Sequence, residues 1–302
     1  MSQLLELTTN PADKLWRYPI CKPLLKLALK TPVTPNQVTI FHTGLSLAAG
    51  VVICFGTPRA FVLAGVMFEV RSILDCLDGV LARAKQLSSP FGRALDQLGD
   101  TIGFLSLMAG GLVCFVRLYG FVIAPILVFL TVTVSACCTT AWDMFRRRFA
   151  SLMAHGYDTT EDDYLILCRR YLEHKTAALY VSRAVSLFGL QTLSPHSLPR
   201  IRERARNHEW PRESEAPQVT ATGRAIQEAA ARNDPELRGM LVRVALVGGD
   251  NLIVILTVGL LLGHYLVAFP VVMVWGLLVW IYTAVTVGRY LQGGERMSAR
   301  EV

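Results

Sequence analysis

The chain is 302 residues long, 52% hydrophobic and only 18% charged, with a mean hydropathy of +0.41. This composition excludes a disordered chain and an ordinary soluble domain and points to a polytopic membrane protein. The net charge of +7 and a pI near 9.2 fit anionic lipid rather than nucleic acid, because the basic residues cluster beside the apolar segments.

The N-terminal section, residues 1–33, begins MSQLLELTTNPADKLWRYPI, without a basic start, apolar core and small-residue cleavage site, so no secretory signal is expected. Residues 12–30, ADKLWRYPICKPLLKLALK, mix Trp16, Leu24, Leu25, Leu27 and Leu29 with spaced lysines, the pattern of an amphipathic helix lying in the membrane interface. Thr34 and Pro35 then stand as the N-cap and first residue of the next helix. Apolar segments near 37–55, 60–81, 97–116 and 121–142 follow, each able to cross roughly 30 Å of hydrocarbon, so residues 34–145 are expected to hold four spans.

Residues 146–238 turn polar, with Arg200, Arg202, Arg204, Arg206, Glu209 and Arg212 close together and prolines at 195, 199, 211 and 217. They read as a cytoplasmic insert, helical in its first half by apolar spacing and loop or linker over 195–222. Residues 239–302 add two apolar segments, 239–263 and 266–288, and a tail. The expected fold is therefore all-α: six transmembrane helices, an N-terminal interfacial helix, and a cytoplasmic insert between spans four and five.

The topology follows from the basic residues. Lys14, Arg17, Lys22, Lys26 and Lys30 precede the first span, Arg83, Lys85 and Arg93 lie between the second and third, and Arg289 follows the sixth. The positive-inside rule puts both termini and the 83–93 loop on the cytoplasmic side. Cys54, Cys76, Cys114, Cys137 and Cys138 lie in or beside spans with no Cys-x-x-Cys pair, and read as reduced packing residues.

The anomaly in this apolar chain is four aspartates, Asp75, Asp78, Asp96 and Asp100, at the junction of the second and third spans. A charge in a membrane helix costs on the order of 2.5 to 3.5 kcal/mol, so four imply a polar cavity or bound cations. Asp75, Asp78, Gly79 and Ala82 fall at i, i+3, i+4 and i+7, one face of a helix, and Gly92, Asp96 and Asp100 fall at i, i+4 and i+8, one face of the next. The connection KQLSSPFG turns the chain back and brings the two acidic faces together. Four adjacent carboxylates call for hard divalent ions, and oxygen-only ligands without histidine or thiolate select Mg²⁺, Mn²⁺ or Ca²⁺. Two such ions roughly 3.5 to 4 Å apart suit a diphosphate substrate and in-line attack on phosphorus. Gly79 and Ala82 leave room for a nucleotide, and Arg83 stands ready to neutralise a phosphate. The bland alternative pairs these acids with Arg71, Arg83 and Arg93 to hold helices together.

The stretch resembles the signature of the CDP-alcohol phosphotransferases, D-x2-D-G-x2-A-R-x8-G-x3-D-x3-D, with Asp75, Asp78, Gly79, Ala82, Arg83, Gly92, Asp96 and Asp100 at every fixed position. The TPNQVT run before the first span is similar to that family's entry to its first helix. The resemblance implies displacement of CMP from a CDP-linked donor by an alcohol hydroxyl, with two divalent ions, Mg²⁺ or Mn²⁺, as cofactors. It implies that Asp75, Asp78 and Asp96 hold metal, that Asp100 joins the metal site and accepts the hydroxyl proton, and that Asp75, Gly79, Ala82, Arg83 and Gly92 hold the CDP and phosphate. It also implies a homodimer, for which Ala109, Gly110 and Gly111 offer small residues for close helix contact.

The expected donor is CDP-diacylglycerol and the expected acceptor a small polar alcohol such as glycerol 3-phosphate, inositol phosphate, inositol or serine. The alternatives are a CDP-choline or CDP-ethanolamine enzyme acting on diacylglycerol, and a non-catalytic transporter or scaffold. Arg146, Arg147, Arg148, Arg289, Asp250 and Asn251 are candidates to bind the acceptor, with topological anchoring or helix packing as rival roles. Glu69 and Asp143 are expected to pair with Arg71 and with Arg146 or Arg147.

Overall fold

The structure, a computed structural model, describes residues 2–194, 197–211 and 219–298, so Pro195, Arg212 and Pro217 of the insert lie outside the described residues. Among the described residues it is helical throughout, in the order α1 (Ser2–Leu5), α2 (Tyr18–Ala28), α3 (Pro35–Ile53), α4 (Pro58–Ala84), α5 (Pro90–His155), α6 (Thr160–His174), α7 (Ala177–Leu193), α8 (Leu198–Arg206), α9 (Ala221–Ala231), α10 (Pro235–Val247), α11 (Gly249–Leu261) and α12 (Tyr265–Ser298).

Local chemistry sets the boundaries. Thr34 caps α3 as its spacing predicts: the Gln37 backbone N–H donates to Thr34 Oγ1, and the Thr34 N–H donates back to Gln37 Oε1 at 2.9 Å. Thr57 and Asp234 cap α4 and α10 in the same way, each followed by a proline in the first turn. The N-terminal stretch is helical, a π turn over Asp13–Arg17 that runs into α2, with Leu15 and Leu27 exposed.

The third and fourth apolar segments are two helices that meet within α5 at a kink at Gly120, whose φ of 78° and ψ of 176° place it in a region that glycine alone enters readily. Two expectations change. The segment 239–263 divides at Gly248 into α10 and α11, bent by 52°, because the extended ψ of Gly248 breaks the ladder. Part of the expected loop 195–222 is helix α8, where Pro199 sits in the first turn and so removes no ladder hydrogen bond. Arg200 and Arg204, one turn apart on α8, pair with Glu161 and Asp162 of α6 at 2.5 and 3.0 Å.

By length and composition three stretches qualify as complete crossings: Pro35–Ile53, Phe91–His155 and Tyr265–Leu291. The bent pair α10 and α11 makes a fourth if counted as one span. Helix α4 is long enough but carries Glu69, Arg71, Asp75 and Asp78 within its apolar stretch. Exposed Ile40, Phe41, Val51, Leu63, Val66, Phe129, Val271 and Val274 are apolar surface of the kind hydrocarbon, not water, accommodates.

The chain divides into two compact units. The first comprises residues 1–9, 136–249 and 277–302, and the second residues 10–135 and 250–276. In the first, Phe145, Phe149, Leu165, Leu190, Ile201 and Leu237 are fully buried, and Trp142 Nε1 donates to the Thr8 carbonyl at 3.0 Å. In the second, Phe68, Leu81, Leu107, Tyr265 and Phe269 form the core, and the Tyr265 hydroxyl donates to the Leu107 carbonyl at 2.6 Å.

Small residues draw α3 and α5 together in the second unit. A Cβ on Gly50 would stand 2.8 Å from the Ser106 carbonyl oxygen, and one on Gly110 would stand 2.7 Å from Ile53 Cγ2. Gly111 likewise faces Phe269, where a Cβ would come within 2.5 Å of the ring. Gly110 and Gly111, read from sequence as dimer contacts, are thus occupied by packing inside the chain.

The N-terminal segment is fastened to α4 by charge. Buried Arg17 donates to both carboxylate oxygens of Glu69, at 3.0 and 3.2 Å, and to Asp13 at 3.1 Å, while Trp16 Nε1 donates to Glu69 Oε1 at 2.7 Å. Burial alone would lower the Arg17 pKa; Glu69 and Asp13 reverse this and hold it above its ordinary value. Glu69 was expected to pair with Arg71, but at i and i+2 the two leave different faces of α4; Arg71 is directed to other acids and Arg17 takes its place. Asp143 pairs with Arg147 at 2.9 Å as expected.

Overfilling the α3–α5 contact tests this packing. Gly110→Val is expected to destabilise the protein by about 1–3 kcal/mol, read as a lower thermal midpoint in mild detergent. Gly44→Ala, on the exposed side of α3 with nothing within 4 Å, is expected to leave the midpoint unchanged or raise it slightly.

Candidate active site

Three helices of the second unit converge on the aspartates. Helix α3 brings Thr39 and His42, α4 brings Arg71, Asp75 and Asp78, and α5 brings Asp96 and Asp100. The loop between α4 and α5 is held by Lys85, whose Nζ donates to the carbonyls of Thr31 and Val33 at 2.8 and 2.7 Å. The turn expected of KQLSSPFG is made with Gln86 at φ 58° and the Gly92 N–H donating to Ser89 Oγ at 2.9 Å.

The centre of the site is Asp78, only 4% exposed. Thr39 Oγ1 donates to its Oδ2 at 2.5 Å, and His42 Nε2 lies 3.2 Å from the same oxygen. One ligand atom from each of His42, Asp75, Asp78 and Asp96 lies within 4.8 Å of the others. Asp75 Oδ1 is buried and has no hydrogen-bond donor, with His42 Nε2 and Arg71 Nη2 each 3.6 Å away. A buried carboxylate oxygen without a donor is costly unless a cation lies against it, so the residues present fit a divalent ion.

Asp100 stands apart from that group. Its Oδ1 is bound by Arg71 Nη2, and half of its side chain is exposed. Arg71 itself is buried, with its guanidinium 5.7 Å from the Phe68 ring centre. Gly103 leaves it space, since a Cβ there would stand 3.4 Å from Arg71 Nε. Arg71 thereby joins Asp75 on α4 to Asp100 on α5.

On the nucleotide side, Gly79 meets only Arg83 Nη1, 3.8 Å from where its Cβ would be. Ala82 is half-buried and Arg83 exposed, so this face of α4 is open. Gly92 instead packs against Asn36 and Ser89, where a Cβ would come within 3.2 Å of each side chain.

Of the candidate acceptor residues, Asp250 and Asn251 open α11 in the second unit, and Asp250 is within electrostatic reach of Arg71 and Asp100. Arg146, Arg147, Arg148 and Arg289 belong to the first unit. Arg146 lies over the Trp142 ring at 4.9 Å, Arg147 pairs with Asp143, and Arg289 is exposed. Arg148 is buried, bound to Asp158 at 2.6 Å and Ser194 Oγ at 2.7 Å, on the wall of a cavity of about 610 Å³. The other arginines lining that cavity, Arg200 and Arg204, are also paired with acids.

Sequence reasoning misses His42 and Thr39, which the structure brings beside Asp78. The signal was present: a histidine inside an apolar span, three residues after a threonine, calls for a polar partner.

The sequence model of the CDP-alcohol phosphatidyltransferase family matches residues 32–193, more than half of the chain. Among curated proteins, the phosphatidylinositol phosphate synthase of Corynebacterium glutamicum is 34% identical over 83 residues, 28% of this chain and 37% of that protein. The archaetidylinositol phosphate synthase of Pyrococcus horikoshii is 37% identical over 78 residues, 26% of this chain and 40% of that protein. The bifunctional IPC transferase and DIPP synthase of Thermococcus kodakarensis is 36% identical over 80 residues, 26% of this chain and 18% of that protein. The matched stretch therefore spans less than half the length of each relative, and no solved structure gives a significant match. With the eight-residue signature in place around an acidic cluster, and long apolar helices that mark an integral membrane protein, the chain belongs to the CDP-alcohol phosphatidyltransferase family.

Proposed function

We propose that this protein transfers a phosphatidyl group from CDP-diacylglycerol to the hydroxyl of a small polar alcohol and releases CMP. The observation that carries the reading is the gathering of Asp75, Asp78 and Asp96, from two helices, around a buried carboxylate oxygen with no donor. The relatives named for inositol phosphate products support a phosphorylated polyol as acceptor.

In this reading Asp75, Asp78 and Asp96 hold two divalent ions, Mg²⁺ or Mn²⁺. When bound, these neutralise the diphosphate and polarise the phosphorus under attack. Gly79 and Ala82 admit the cytidine side of the donor against α4, and Arg83 pairs with a phosphate oxygen. The acceptor hydroxyl attacks the phosphorus that carries diacylglycerol, the bond from that phosphorus to CMP breaks, and Asp100 takes the hydroxyl proton. Asp100 suits that role because half of it is open to an incoming substrate while Arg71 fixes its orientation. Asp250, in reach of Arg71 and Asp100, is the acceptor-side residue this arrangement favours.

The wider architecture belongs to the same proposal. The chain crosses the membrane six times, α5 contributing two crossings on either side of Gly120, with residues 1–33 as interfacial arm and 146–238 as cytoplasmic insert. Both termini and the aspartate site face the cytoplasm, and the working unit is a homodimer.

Purified protein offered CDP-diacylglycerol with a panel of alcohols is expected to release CMP with a phosphorylated polyol, only when Mg²⁺ or Mn²⁺ is present. CMP release confined to CDP-choline or CDP-ethanolamine with diacylglycerol would sink the donor assignment. Asp100→Asn is expected to lower kcat by about 10²- to 10⁴-fold, the usual worth of a general base, while the folded protein persists. Asp250→Asn is expected to raise KM for the alcohol with a smaller effect on KM for the CDP donor, measured by varying each substrate in turn.

A further inference from the structure

We propose that His42 is a nitrogen ligand of the metal centre, standing with Asp75, Asp78 and Asp96 and giving the site a mixed nitrogen and oxygen donor set. The inference rests on the reading of the aspartate cluster as a divalent metal site and deepens it.

The geometry of the ring carries the argument. His42 Nε2 lies 3.2 Å from Asp78 Oδ2 and 3.6 Å from Asp75 Oδ1. Neighbouring ligand atoms of an octahedral ion with bonds of roughly 2.1 Å stand about 3 Å apart, so both separations suit edges of one coordination shell. A hydrogen bond explains only one of them: the contact to Asp78 is within hydrogen-bonding range, whereas 3.6 Å to Asp75 is beyond it. Asp75 Oδ1 is left without a donor although the ring nitrogen is among its nearest polar neighbours. A cation between the two resolves that contact.

The surroundings hold the ring in place. His42 is fully buried on α3, and Ser46 Oγ donates to its backbone carbonyl at 2.9 Å. Imidazole is a softer donor than carboxylate, which shifts preference from Mg²⁺ toward Mn²⁺ and later first-row ions.

The test uses full-length protein in mild detergent, loaded with Mn²⁺ alone and measured by pulsed electron paramagnetic resonance without turnover. The expected result is a histidine ¹⁴N coupling to the bound Mn²⁺, lost in His42→Gln, with Mn²⁺ affinity falling by at least about 10-fold. Bound Mn²⁺ without nitrogen coupling in the wild type, or a coupling that persists in the folded variant, overturns the proposal and leaves the aspartate site standing. Failure of the wild type to bind Mn²⁺ saturably overturns the metal reading itself, and this proposal with it. Should His42→Gln fail to fold, His42→Asn replaces it, and the wild-type spectrum still decides.

Discussion

The close approach of α3 to α5 is the constraint on which the rest of the site depends. Gly50, Ser106 and Gly110 leave too little volume between the two helices for larger side chains, and Ser106 Oγ donates across the gap to the Ser46 carbonyl at 2.9 Å. In an apolar solvent, helices associate through such packing and interhelical hydrogen bonds, since burying more hydrocarbon gains little. Gly99 and Gly103 extend the contact toward the aspartates, where it admits the His42 ring and the Arg71 guanidinium. A Cβ at Gly99 would collide with Thr43 Oγ1 at 2.6 Å, and one at Gly103 would press on Ser46 Oγ at 3.2 Å.

Charge is managed by pairing across helices. Arg17 on the N-terminal segment holds Glu69, and Arg71 on α4 holds Asp100 on α5 while facing Asp75. Removing one partner of a buried pair strands the other, at a cost of about 3–5 kcal/mol, so each link resists local opening. The links also differ in consequence. The Arg17–Glu69 link fastens the N-terminal segment to the helix that carries Asp75 and Asp78, whereas the Arg71–Asp100 link sets an aspartate that remains half open. Asp75 is left with a buried oxygen that no protein donor satisfies, and it is there that the fold favours a cation.

Helix caps were the most legible part of the fold. Thr34 with Pro35 is a local signal, and the structure returns it with the reciprocal Gln37 contact added. The junction of the third and fourth apolar segments was legible as well, since the gap between residues 116 and 121 holds Gly120, where the helix breaks. Helix α8 was hidden by its prolines and arginines, which read as loop until Glu161 and Asp162, about forty positions earlier, supply partners for Arg200 and Arg204. Glu69 was given to the wrong arginine for a similar reason: proximity along the helix favoured Arg71, and burial against another segment favoured Arg17.

By itself the sequence determined the membrane character, the two acidic helix faces and the eight-residue signature that places the chain in its family, all of which depend only on composition and on spacing along single helices. Tertiary structure alone decided which acids come together, that His42 and Thr39 stand among them, and that Asp100 is held by Arg71. Helical periodicity fixes the face on which a side chain emerges, but not the distance to a neighbouring helix. His42 lies more than thirty residues before Asp75, and only the packing of α3 against α4 brings that ring to Asp75 and Asp78.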